Sequence, residues 1–213
     1  MILRIFGVTT PTGSYLIKIL QKSFKKVYCY SRSGEYEYLD MNNTQGYDFN
    51  NEITEEEIWI NLAPIWIFNN FFLNYFNKIG KKSKYIKAII TCSSTSIITK
   101  DYSWHIYDKK LVNKLKSSEN SLLLKCNKMN IFLSIIRPTM IYGNFKNYHD
   151  KNMSKIKKIC ELFPFILFPR DSGLRQPINI KQLAKIIYKQ VTIIKDNKLK
   201  NRYEILNVGG DEI

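Results

Sequence analysis

Short apolar runs alternate with amphipathic stretches along the chain. Ile2, Leu3, Ile5 and Phe6 suit a strand buried on both faces. Gly7-Val-Thr-Thr-Pro-Thr-Gly13 follows, and then Tyr15, Leu16, Ile19 and Leu20 recur at helical spacing. Continued along the chain, the pattern predicts strand 1–6, helix 13–22, strand 26–31, a polar stretch 33–57 and strand 58–62. A helix at 66–79, strand 85–92, helix 107–128, strand 131–136 and mixed segments complete it. Strands alternating with helices predict an α/β, doubly wound parallel sheet. Such sheets bind ligands outside the carboxyl ends of their strands.

Two apolar segments test that reading. Ile58 to Phe76 carries no charge and is nearly long enough to span a bilayer. Asn61, Asn69, Asn70, Asn74 and Pro64 would be costly in lipid, so a strand, a turn at Ala63-Pro64 and an aromatic helix are expected instead. Residues 159–170, "ICELFPFILFPR", form an apolar run beside lysines and read as a core helix of a substrate lobe, with a peripheral contact to a lipid-linked sugar as the alternative. Arg4 and Gly7 interrupt the first apolar run, so no signal peptide is expected.

Composition narrows the function classes. The 213 residues are 45% apolar, enough for one large domain. Cys29, Cys92, Cys126 and Cys160 form no CxxC pair and read as reduced thiols of a cytoplasmic protein. His105 and His149 are the only histidines, which argues against a metal site. The net charge of +15 invites a nucleic-acid or anionic-membrane partner. Its lysines are scattered through a chain rich in Asn and Ile, so no specific nucleic acid is expected.

The Gly7–Gly13 turn bears on chemistry. A dinucleotide turn leaves a strand sharply and brings backbone N–H groups against a pyrophosphate at a helix N-terminus. Thr10 stands where a middle glycine would serve the close approach. From this stretch alone, a nucleotide-binding turn and an ordinary strand–loop–helix start both remain open.

Further pieces fall in a recognisable order: "YSRS" (30–33), "YDF" (47–49), "INLAP" (60–64), "TCSSTSI" (91–97), "IIRPTMIYG" (135–143), "RQPINIKQLA" (175–184) and "YEILNVGG" (203–210). With the glycine turn, they make the chain resemble the NAD(P)-dependent epimerase/dehydratase branch of the extended short-chain dehydrogenases/reductases. The resemblance implies a Rossmann-like NAD(P)-binding domain over 1–143. A small, truncated substrate-binding portion, 144–213, would be interleaved with the last Rossmann elements.

It also implies site residues. Gly7, Thr9, Thr10, Thr12 and Gly13 would face the pyrophosphate. Ser31, Arg32 and Ser33 would follow the second strand, with Arg32 against a 2′-phosphate, so NADP is preferred over NAD. Asp48 would lie near the adenine. Leu62, Ala63, Pro64, Arg137 and Pro138 would line the cofactor. Ser94 would orient a substrate oxygen, Thr95, Thr139 and Tyr142 would shape the pocket, and Arg175 would grip a nucleotide diphosphate.

The family's Tyr-x-x-x-Lys dyad is missing. With Glu119 taken as the family's glutamate on this helix, the dyad falls on Leu111 and Leu115, which cannot transfer protons. Tyr107, Lys109 and Lys114 are the nearby substitutes, and Tyr142-x-x-x-Lys146 follows a different strand. Two classes of function follow. One is an epimerase or reductase acting on a nucleotide-linked sugar in polysaccharide biosynthesis, with a homodimer as an admissible assembly. The other is an inactive NADP-binding or nucleic-acid-binding relative.

Overall fold

The computed structural model describes residues 1–43, 49, 53, 55–150, 152–163, 165, 176–199 and 201–210. Nine strands and six helices are assigned among them: β1 (Ile2–Phe6), α1 (Pro11–Leu20), β2 (Val27–Ser31), β3 (Glu37–Tyr38), β4 (Glu57–Asn61), α2 (Ile65–Ile79), β5 (Ile86–Cys92), α3 (Ser96–Thr99), α4 (Ile106–Lys128), β6 (Phe132–Pro138), β7 (Ile141–Tyr142), α5 (Asn152–Leu162), β8 (Ile178–Asn179), α6 (Ile180–Lys195) and β9 (Tyr203–Val208). A 3-10 helix, Gly80–Tyr85, joins α2 to β5. Seven strands form one parallel sheet in the order β3-β2-β1-β4-β5-β6-β9. The order reverses at β1, and the neighbouring exits of β1 and β4 are the switch point where such sheets open a ligand crevice. The short parallel pair β7–β8 stands apart from this sheet.

Side chains alternate across β1 and divide the core in two. Leu3 and Ile5 join Leu16, Leu20, Ile58, Ile60, Ile90 and Ile187 beneath α1 and α6. Phe6 joins Tyr30, Trp59, Phe68, Phe71 and Phe72 beneath α2 and α4. This second layer is mostly aromatic, which accounts for the uncharged run at 58–76. It is β4, then Ala63 and Pro64, then α2, and no helix among the described residues is long and apolar enough to cross a membrane.

Arg4 sits inside the aromatic layer, fully buried. Its Nε and Nη2 each donate to Glu57 at 2.8 Å, its Nη1 donates to Tyr30, and Trp59 Nε1 donates to the same carboxylate at 2.8 Å. Burial disfavours the charged guanidinium. The bonds to Glu57 and the Tyr30 contact outweigh it and hold the Arg4 pKa above its ordinary value. Removing one partner of a buried pair strands the other charge in low dielectric. Arg4→Met is therefore expected to cost about 3–5 kcal/mol in urea unfolding, with Arg4→Met/Glu57→Leu recovering part of that loss. Equal stability of wild type and Arg4→Met would refute the assignment.

Candidate dinucleotide site

Gly7 leaves β1 with φ 74°, and a Cβ there would lie 2.7 Å from the Ala63 nitrogen. At Gly13 a Cβ would lie 2.5 Å from the Val8 carbonyl oxygen. Both glycines are thus demanded by turn geometry and close packing even without a ligand. Thr10 in the middle is the N-cap of α1, its Oγ1 accepting from Gly13 N–H at 3.0 Å, and Pro11 is the first helical residue. The cap and the proline start the helix at 11 rather than at the expected 13. They also change the anion site. Pro11 has no N–H, Gly13 N–H is held by the cap, and Ser14 N–H bonds the Thr10 carbonyl at 2.9 Å. Thr12 N–H is left as the first-turn donor without a bond among the described residues.

A cavity of about 470 Å³ opens at the carboxyl ends of β1, β2 and β4. It is lined by Gly7, Thr9, Thr10, Ser31, Arg32, Ser33, Leu62, Ala63 and Pro64, so nine expected cofactor residues converge there. Ser31 shapes the β2 exit, its Oγ accepting from Ser33 N–H at 3.1 Å. Arg32 is exposed and makes no ion pair among the described residues. Asn61 folds the β4 exit by bonding Ala63 at both N–H (3.1 Å) and carbonyl (2.9 Å). The expected Asp48 lies outside the described residues. Asp40 lines the cavity instead, with Met41 and Asn42, just past β3.

A second cavity, about 800 Å³, shares Thr9, Thr10 and Leu62 with the first and adds Thr12, Cys92, Ile141, Ile180 and Leu183. Tyr148, His149, Asp150, Ser154 and Lys155 form its polar part. Burial pushes the Cys92 thiol up to about 12, so it lines the wall as a neutral group. Sequence reasoning did not single out Tyr148 to Lys155, whose irregular spacing gave no periodic signal.

Several expected residues are engaged elsewhere. Ser94 Oγ donates to Ser96 Oγ at 3.0 Å and accepts from Ser96 N–H at 3.1 Å. Thr95 Oγ1 donates to the Pro138 carbonyl at 3.2 Å, and Thr139 Oγ1 donates to the Gln176 carbonyl. Tyr142 belongs to the β7–β8 pair. Ser94, Thr95, Thr139 and Tyr142 line neither of the two cavities. Arg175 lies outside the described residues.

The largest correction concerns Arg137. Its Nε donates to Glu119 at 3.0 Å and its Nη2 to the other carboxylate oxygen, while Ser93 Oγ also donates to Glu119. The guanidinium serves a buried carboxylate on α4, and neither Arg137 nor Pro138 lines the cavities. Leu115 is buried and Leu111 packs against the same aromatic core. Tyr107, one turn earlier, is 72% exposed and packs its ring on His105 at 5.3 Å. It lines neither cavity. Glu119→Ala should destabilise the fold by about 3 kcal/mol by stranding Arg137, measured by denaturant unfolding. A change within about 0.5 kcal/mol, as at an ordinary surface site, would refute the clamp.

No protein-family model and no curated protein matches the chain. Solved structures do. A UDP-galactose 4-epimerase superposes with TM-score 0.67 at 11% identity, covering 98% of this chain and 77% of that one. A Bacillus cereus UDP-glucuronic acid 4-epimerase in complex with UDP-glucuronic acid and NAD gives 0.64 at 16% identity, over 100% and 78%. The human epimerase family protein SDR39U1 (isoform 2) with NADPH gives 0.60 at 14% identity, over 98% and 74%. The chain shares the fold of these epimerases, a Rossmann-like parallel sheet flanked by helices.

Proposed function

We propose that the chain binds NADP(H) in the cavity at the β1–β2–β4 edge and handles a nucleotide-linked sugar beside it, with its proton-transfer dyad replaced by core leucines. The observation that carries this reading is an asymmetry. Gly7, Thr9, Thr10, Ser31, Arg32, Ser33 and the 62–64 turn line one cavity, whereas Leu115 is buried in the aromatic core and Leu111 packs against it.

The donor set fits the adenosine half. Gly7 and Ala63 keep the crevice floor low, and Thr12 N–H with the threonine hydroxyls offers donors to a diphosphate. Arg32 carries a free positive charge where a 2′-phosphate would lie, and Asp40 can accept from an adenine or ribose donor. When bound, a nicotinamide cofactor supplies hydride transfer. The chain's own part is to bind and orient. Ser94, just past β5, is the hydroxyl assigned to a sugar oxygen, a role that requires its bond to Ser96 to be exchanged. The UDP-sugars of the structural neighbours support a nucleotide sugar as the second ligand.

Arg32→Ala should weaken NADPH binding by about 1.5–3 kcal/mol, the usual worth of a hydrogen bond to a charged group, and leave NADH binding nearly unchanged. Titration of both cofactors decides it, and equal affinity of the wild type for the two would sink the NADP assignment.

Without a Tyr/Lys pair, reduction of 4-keto nucleotide sugars should run about 10²–10⁴ slower than general acid–base help allows. Residual turnover should fall in Ser94→Ala and persist in Tyr107→Phe and Tyr142→Phe. An unchanged rate in Ser94→Ala would remove the role given to Ser94.

A further inference from the structure

Fourteen large hydrophobic side chains are exposed among the described residues, and ten of them fall in two segments, 98–107 and 156–165. Such clustering departs from the scattered exposure of ordinary surfaces. In the first segment Tyr102 and Trp104 are 92% and 95% exposed. The turn that presents them is held in place: Lys100 and Ser103 both bond Asp108, and Lys116 bonds Asp101. The second segment is α5 and its continuation. Ile156, Ile159 and Phe163 recur at i, i+3 and i+7, forming one apolar stripe, and all three are exposed. The core helix expected at 159–170 is helical over its first residues, to Leu162, but Ile159 and Leu162 are exposed there; residues 164 and 166–170 lie outside the described residues.

Topology puts both segments on one side of the molecule. The first follows the carboxyl end of β5 and leads into α4. The second follows β6, and Ser154 and Lys155 at its start line the cavity that reaches the α1 turn. Both patches therefore flank the carboxyl edge of the sheet, where the candidate site opens.

Their charge is one-sided. The acids Asp101, Asp108 and Glu161 are each paired with a lysine, while Lys109, Lys110, Lys155 and Lys158 make no ion pair among the described residues. We propose that this edge docks on an anionic lipid bilayer, the two apolar patches entering the interface and the lysines meeting acidic headgroups. An amphipathic helix with lysines beside its apolar stripe binds such surfaces by both terms. A second copy fits less well, since each chain carries +15 and the patches would set lysines against lysines. Single-stranded nucleic acid stacks on flat rings, whereas half of these ten side chains are Ile or Leu.

The proposal is independent of the cofactor reading, because vesicle binding is measured without nucleotide. The full chain is sedimented with phosphatidylcholine vesicles, with and without phosphatidylglycerol. Binding is expected only with the anionic lipid, and it should vanish near 1 M salt, where the screening length is about 3 Å. Trp104→Glu/Phe163→Glu should lose at least about tenfold in partitioning with an unchanged thermal midpoint, since both side chains are exposed. Lys109→Gln/Lys110→Gln/Lys158→Gln should lose about a hundredfold, at about fivefold per lysine. No sedimentation, equal binding to both vesicles, or full binding by the Trp104/Phe163 variant would overturn the proposal. A stable dimer dissolved by the same two substitutions would assign the edge to a second copy and overturn it too. Oligonucleotide binding lost in that variant, with no vesicle binding by the wild type, would overturn it in favour of nucleic acid.

Discussion

The carboxylate of Glu119 sets how α4 lies on the sheet. It is buried, and it collects Arg137 from β6 and Ser93 from the exit of β5. A buried carboxylate is tolerable only with such partners, so α4 has little freedom to rotate. Positions 111, 115 and 119 follow one another at i, i+4 spacing and share a face. Fixing Glu119 toward the sheet therefore fixes Leu111 and Leu115 toward it as well. There they extend the aromatic layer of Trp59, Phe68, Phe71 and Phe72. Helix α4 is thus held by one ion pair, with leucine on the face it turns toward the sheet.

The same aromatic layer explains the buried Arg4. A guanidinium is planar and weakly hydrated, and it can lie against rings as well as bond a carboxylate. Arg4 does both, with its guanidinium carbon 4.3 Å from the Phe49 ring centroid and its nitrogens on Glu57. The pair links the two central strands β1 and β4, whose exits form the floor of the dinucleotide cavity. Core packing and site geometry thus meet on neighbouring residues, Arg4 to Gly7 on one strand and Glu57 to Ala63 along the other.

Much of this fold was legible because apolar periodicity reports burial directly. Strands at 1–6, 26–31, 58–62 and 85–92 and helices at 66–79 and 107–128 all stand within a residue or two of those limits. The start of α1 moved because Thr10 and Pro11 act through capping, which hydrophobic spacing does not register. Backbone turns were also legible: glycines, Ser31 and the 62–64 turn mark the cavity through local chemistry. Long-range partnerships were not. Arg137 reads as a cofactor residue until Glu119, eighteen positions earlier, is seen to hold it. Asp40, which lines the cavity, went unremarked because β3 is only two residues long, too short to leave a period. The apolar run at 159–170 shows the converse limit: periodicity gives an amphipathic stripe but not what covers it.

The two halves of the site are built from different parts of the chain, and this lets them diverge. The cavity is lined by turns at the exits of β1, β2, β3 and β4, and close packing at Gly7 and Gly13 fixes its glycine turn without a ligand. Gly7 cannot gain a Cβ without meeting Ala63, nor Gly13 without meeting Val8. Selection for a folded sheet alone keeps that crevice. The chemical half depends on two side chains of α4, and a helix face pressed on an aromatic core accepts leucine at both positions with a gain in apolar burial. Packing alone thus demands the turns of this crevice, whereas it demands no titratable side chain at 111 or 115. For this chain the informative positions are therefore those that packing does not explain: the exposed Arg32 beside the cavity, and the lysines and rings that flank its mouth.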